Sequence, residues 1–335
     1  MQNTLIIGGA GYIGTALSDY LLKNDYRLKV LDNCIYNNNE TIINNIKDKN
    51  YEFIFGDMCK IQDIEIAIKN VSKVIILSGL VGDPITKKYP KEANLINLEK
   101  MKSLIDFLYE QDLKNLIFVS TCSNYGFMDE SMLADEDTEL KPLSLYAEAK
   151  VSVEKYILEK FNKSNTVATI LRFATAFGLS SRMRFDLTIN EFTRKLALGE
   201  SLDVYDPETW RPYCHVNDFA RLIKLILETK EEKVYNQVFN SGGDINNYTK
   251  QGIINKILEY LPDSNVKYVT EGSDPRNYRV SFQKIRNVLN FEPKYSVEDG
   301  VIEIIKSIKA GLFKNENKNI NLYGNYNINF KINKN

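Results

Sequence analysis

A short apolar run, Leu5 to Ile7, leads straight into Gly8-Gly9-Ala10-Gly11-Tyr12-Ile13-Gly14, and a second apolar run stops some twenty residues later at Asp32. The glycines at 8, 11 and 14 let a strand turn tightly, let its backbone approach a pyrophosphate, and let the next helix pack close to the sheet. Apolar residues at Ile13, Ala16, Leu17, Tyr20 and Leu21 give that helix one buried face, which leaves its first amide groups free to meet phosphate oxygens. A carboxylate at Asp32 accepts both ribose hydroxyls of NAD and repels the extra phosphate of NADP, and the next residue is Asn33 rather than a phosphate-pairing arginine. The pattern specifies a dinucleotide site that takes NAD.

Alternating apolar runs and amphipathic stretches continue through the first half, which predicts an α/β fold of Rossmann type, a doubly wound parallel sheet covered by helices. Strands are expected at Leu5 to Ile7, Leu28 to Leu31, Tyr51 to Phe55, Val74 to Leu77, Leu116 to Val119 and Val167 to Leu171. Long helices are expected from about Ala93 to Gln111 and from about Tyr146 to Phe161. After Gly178 prolines break the alternation, marking a smaller second region. Residues 1–178 with 213–245 are therefore assigned to an NAD-binding domain, and 179–212 with 246–314 to a substrate-binding region. The asparagine-rich tail 315–335 has too few core formers to order itself without a partner surface.

The 43 basic residues nearly cancel the 44 acidic ones, so no nucleic acid or anionic membrane is expected as partner. Cys34, Cys59, Cys122 and Cys214 stand far apart, which suggests neither a disulfide framework nor a metal site and fits a reducing cytoplasm. The amino terminus lacks a basic lead and a cleavage signature, and no apolar run approaches the roughly twenty residues that span a bilayer.

In open α/β sheets ligands bind beyond the carboxyl ends of the strands. Gly56-Asp57-Met58 follow the third strand, Ser78-Gly79-Leu80 the fourth, and Ser120-Thr121-Cys122-Ser123 the fifth. Farther on, Tyr146 and Lys150 stand four apart, on one helical face. A neighbouring cation favours the phenolate, so this pair offers a base near neutrality. A second such pair, Tyr156 with Lys160, lies about eighty degrees round the same helix and cannot face the same site; it is read as packing or surface.

Taken together, the glycine run, Asp32-Asn33, Gly56-Asp57, Asn97, Ser120-Thr121 and Tyr146 with Lys150 resemble the extended short-chain dehydrogenase/reductases, and within them the nucleotide-sugar epimerase/dehydratase branch. The resemblance continues through Leu171-Arg172-Phe173, Phe177-Gly178, Arg211-Pro212-Tyr213, His215-Val216, Asp218 and Asp274-Pro275-Arg276. It implies catalysis by Thr121, Tyr146 and Lys150, and a likeness to homodimers. It implies NAD contacts from Gly8, Gly11, Tyr12, Ile13, Gly14, Asp32, Asn33, Asp57, Met58, Ser78, Gly79, Leu80, Asn97, Tyr146 and Lys150. Nucleotide-sugar contacts are implied for Thr121, Cys122, Ser123, Thr175, Arg184, Asn190, Arg211 and Arg276, with the two last on the pyrophosphate. His215 reads as a structural hydrogen bonder and Asp218 as a helix cap.

In this branch a tyrosinate takes the proton of a sugar hydroxyl, usually at C4, while the C4 hydride passes to NAD. The 4,6-dehydratases place Asp and Glu after the threonine, where this chain has Cys122 and Ser123, so elimination is not expected. A 4-epimerase is the leading expectation. A 4-dehydrogenase or 4-ketoreductase is the alternative, since Leu80-Val81-Gly82-Asp83-Pro84 and 182–187 are similar to a GDP-heptose 4-dehydrogenase subgroup. A non-catalytic NAD-binding regulator is the alternative of another class.

Overall fold

The computed structural model describes residues 3–129, 132–269, 276–313 and 321–328. Its strands are β1 (Asn3–Ile7), β2 (Leu28–Asp32), β3 (Tyr51–Phe55), β4 (Val71–Ile76), β5 (Asn115–Thr121), β6 (Val167–Phe173), β7 (Thr175–Phe177), β8 (Leu202–Tyr205), β9 (Trp210–His215), β10 (Gln237–Ser241), β11 (Asn247–Thr249) and β12 (Val266–Val269). The helices are α1 (Tyr12–Leu22), α2 (Ile61–Ala67), α3 (Asp83–Lys88), α4 (Pro90–Asn94), α5 (Met101–Tyr109), α6 (Leu145–Lys160), α7 (Thr188–Ala197), α8 (Val216–Glu228), α9 (Glu231–Val234), α10 (Lys250–Leu258), α11 (Gln283–Leu289) and α12 (Val297–Lys309).

Seven strands form one parallel sheet in the order β10-β6-β5-β4-β1-β2-β3. Alternate side chains of β1 go to opposite faces. Ile6 packs with Leu17 and Leu21 of α1 and with Phe219 and Ile223 of α8, whereas Leu5 and Ile7 pack with Ile64 of α2, Leu104 and Leu108 of α5, and Val153 of α6. A sheet covered on both faces favours apolar residues at most strand positions, which is why its strands read as largely apolar runs, interrupted by Lys29 in β2, Glu52 in the edge strand β3 and Lys73 in β4. Chain order reverses between β1 and β4, and that switch point opens a crevice at their carboxyl ends.

A smaller core joins α7, α10 and α12 to Phe177, Leu202, Val204 and Tyr213. Its strands form a three-stranded sheet, β11-β9-β7, and the parallel pair β12-β8.

Three expectations need correction. The helix from Ala93 to Gln111 is α4 and α5 joined by a π turn, Leu95–Lys100. Asp218 does not cap α8: the His215 ring accepts the Asn217 amide, while Asp218 receives the amides of Lys294 and Tyr295 and pairs with Arg221. Residues 321–328 of the tail are ordered against the chain's own surface, where Tyr323 packs edge-on against Phe185 and Phe313.

Candidate active site

The turn after β1 and the amino end of α1 form the floor of a cavity of about 390 Å³, a size suited to small-molecule ligands. Gly8 holds φ +88°, and a Cβ there would stand 2.6 Å from Ser78 N, so turn and neighbour both require glycine. Gly11 precedes α1 with no side-chain cap, leaving the first amides of the helix to a ligand. Ala10 N–H donates to Asp32 Oδ2 at 2.9 Å and Cys34 N–H to Oδ1 at 2.8 Å. Each carboxylate oxygen keeps a lone pair for a ribose hydroxyl. Burial raises the Asp32 pKa, opposed by those two amides.

Gly8, Gly11, Tyr12, Ile13, Gly14, Asp32, Asn33, Ser78 and Gly79 line the cavity. Four other expected cofactor residues are not part of that lining. Asn97 donates to Leu80 O at 2.9 Å and accepts from Leu80 N–H at 2.8 Å, so Asn97 and Leu80 brace the loop after β4. Met58 Sδ accepts from Ser78 Oγ, and Asp57 Oδ1 accepts the Cys59 amide.

Thr121, Ser123, Tyr146 and Lys150 line the far part of the same cavity, with Thr175, Arg184, Arg211 and Arg276. Thr121 Oγ1 accepts the Ser123 amide at 3.1 Å, which leaves its hydroxyl proton to donate into the cavity. Lys150 Nζ donates to Val119 O at 2.7 Å and lies 6.0 Å from the Tyr146 ring centre. Burial raises the Tyr146 pKa, the charge of Arg184 opposes it, and Asp83 adds to it. Burial likewise lowers Lys150 to about 8, against the pull of Glu154.

Cys122 does not reach the cavity. It is buried behind β5, donates to Arg172 O at 3.2 Å, and burial pushes its thiol up, so the expected substrate contact is corrected to a core contact. Asn190 is also fully buried; it accepts from Gly178 N–H and donates to Tyr12 Oη and Arg184 O, which makes it a brace for both. Arg211 donates to Trp210 O and Arg276 O, and Arg276 pairs with Asp83. Arg184 is held in a two-pronged pair with Asp186 at 2.9 and 2.6 Å. Asp274 and Pro275 lie outside the described residues.

His215 Nε2 meets Glu303 at 2.8 Å and its ring stacks on Tyr295, away from the cavity lining. Tyr156 and Lys160 both bond Asp106 on the outside. The cavity also takes residues that sequence reasoning missed: Tyr36, Asp186, Tyr213, Lys250, Tyr278, Asn325 and Tyr326. Tyr278 Oη lies 3.3 Å from Ser123 Oγ. Tyr213 and Asp186 fall inside stretches already noted for the resemblance, Arg211-Pro212-Tyr213 and 182–187, without having been assigned to the site; no local motif marks the other five, which reach the cavity from distant segments.

A parallel sheet with this switch point, a bare-amide glycine turn and an acid ending β2 define a dinucleotide-dependent α/β enzyme. The model of the NAD dependent epimerase/dehydratase family matches residues 4–242, and the chain belongs to that family. Its cofactor is NAD, which Asp32, Gly11 and the amides of α1 fit.

Among curated proteins, a UDP-glucose 4-epimerase of Corynebacterium glutamicum is 24% identical over 317 residues, 89% of this chain and 93% of that protein. A UDP-glucuronate 4-epimerase of Thermodesulfobacterium geofontis is 25% identical over 328 residues, 91% of this chain and 99% of its own. The UDP-glucuronic acid 4-epimerase of Bacillus cereus, solved with UDP-glucuronic acid and NAD, superposes with a TM-score of 0.83 at 23% identity, covering 92% of this chain and 99% of that one. No helix among the described residues is long and apolar enough to cross a membrane.

Proposed function

We propose that this enzyme is an NAD-dependent 4-epimerase of a nucleotide-activated sugar. One observation carries the reading: Thr121, Tyr146 and Lys150 line one cavity, while the two positions after Thr121 hold a core-facing thiol and a hydroxyl beside Tyr278. A base and a hydrogen-bond donor are present at this strand end; an acid for eliminating water is not. The 4-epimerase relatives support the same reading.

In the proposed reaction Tyr146 removes the proton of the C4 hydroxyl while Thr121 donates to the reacting oxygen. Bound NAD supplies reversible hydride acceptance at C4. Tyr146 needs its phenolate for this role, and Arg184 is the chain's cation that favours it. Lys150, tied to Val119 O, has further N–H groups to offer the cofactor ribose. Arg211 and Arg276 are proposed to turn toward the nucleotide pyrophosphate, where permanently charged donor forks suit phosphate. The proposal extends to the two-region division given above and to a cytoplasmic homodimer.

The test is to strip the cofactor, restore NAD, and offer UDP-, dTDP-, GDP- and CDP-sugars while following reduced nicotinamide and C4 stereochemistry by NMR. A C4-inverted product with only transient reduction is expected; accumulating NADH identifies a dehydrogenase instead. Y146F should lower kcat by about 100- to 10,000-fold with NAD binding kept, and full activity in that variant overturns the reading.

A further inference from the structure

The segment 321–328 crosses the crevice from one bank to the other. On one bank the buried Arg182 guanidinium donates to Gly324 O at 2.8 Å and Asn321 O at 3.3 Å, and Phe185 N–H donates to Tyr323 O at 2.7 Å. Arg182 itself rests on the cofactor turn: its amide donates to Thr15 Oγ1, a hydroxyl on α1, and its guanidinium lies 5.5 Å from the Tyr36 ring centre. On the other bank, the connection after β4, Asn325 Nδ2 donates to Val81 O at 3.3 Å and Lys88 Nζ to Tyr326 O at 3.2 Å. Ile328 packs into the apolar cluster of Leu80 and Ile85.

One bank, the stretch after β7 that carries Arg182, Phe185 and Asp186, touches α1 through Thr15 and receives the Asn325 amide on Asp186 Oδ2; the other follows β4, one of the two strands that flank the switch point. Asn325 and Tyr326 face the cavity. The Asn321 side chain closes the segment on itself by accepting the Asn327 amide at 2.9 Å and donating to Asn327 O at 2.8 Å. Asparagines that read as a poor core are here a hydrogen-bonded strap.

We infer that the strap 321–328 is a latch that retains NAD in the crevice between turnovers. The inference rests on the NAD site and sharpens the proposed epimerisation, since a ketone that must recover its hydride needs a cofactor that stays bound. The latch carries no chemistry of its own. It slows cofactor departure by joining both banks above the dinucleotide.

The experiment loads the full chain, a chain ending at Phe313, and the N325A/Y326A double variant with NADH. Each is mixed with excess NAD while loss of bound-NADH fluorescence is followed. Thermal melts check that each variant is folded. Both variants should release NADH at least about tenfold faster than the full chain, an effect on the dissociation rate where most such differences lie. Release within twofold of the full chain in a folded variant overturns the latch, as does a change confined to the KM of the nucleotide sugar. If the shortened chain does not fold, the double variant, which keeps the Arg182 and Tyr323 anchors, decides alone. No sugar is needed, so failure of the epimerase reading would show only in the turnover assay.

Discussion

A Cβ added at Gly14 would stand 2.5 Å from Gly9 Cα, whereas one at Gly11 would meet only Gly8 O at 3.4 Å. The first glycine is therefore required by the chain's own packing of α1 against the turn. Both line the cavity, but only at Gly11 is the space left by the missing side chain open to a ligand. G14A should lose about 1–3 kcal/mol in a urea titration, the usual cost of overpacking. G11A should keep its stability within about 0.5 kcal/mol yet weaken NAD binding at least about tenfold, measured by calorimetry. Equal stability loss in both would assign Gly11 to packing as well. At this scale the sequence was informative where a residue type has one physical use, as for glycines 8, 11 and 14. It misled at Cys122, because a one-residue change in direction at the end of β5 sends a side chain into the core instead of the cavity.

The strands of the large sheet were legible because burial on both faces favours apolar runs, and their observed ends differ from the expected ones by at most a few residues, as at β4, Val71–Ile76. The π turn inside the expected helix 93–111 left no such signature. It shows in one residue, Asn97, a buried amide in a helical segment whose side chain satisfies both backbone groups of Leu80. An extra residue in the turn is a common way to aim one side chain from a helix. Its partner could not be read, since nothing in the local sequence couples positions 80 and 97. N97A would leave the Leu80 N–H and C=O unpaired in a buried loop. It should cost about 1–3 kcal/mol by urea titration and weaken NAD binding, because the loop it braces carries Ser78 and Gly79 into the cavity. Unchanged stability would mean that solvent replaces both bonds.

Across the whole molecule, a site of this kind stores charge where folding alone would exclude it. Lys150 is 5% exposed, and its pKa falls from 10.5 to about 8 as burial disfavours the ammonium. Below about pH 8 the folded chain carries that cost in full. Between about 8 and 10.5 the unfolded chain binds the extra proton, so this contribution to stability rises with pH, and above 10.5 the cost is gone. A shift of this size corresponds to a cost on the order of 3 kcal/mol, offset by about 1 kcal/mol for the hydrogen bond to Val119 O. In NAD-free protein, K150M should therefore be more stable than the parent by about 1–2 kcal/mol at pH 7, and the gain should shrink toward pH 10. Its turnover should fall steeply at the same time, because the methionine has no donor for the cofactor ribose and no charge. Urea titrations at the two pH values, with turnover measured on the same preparations, separate the two effects. A variant less stable than the parent at pH 7 would show that Lys150 is held for the fold, whereas a stabilised, inactive one shows that the fold tolerates it for the chemistry.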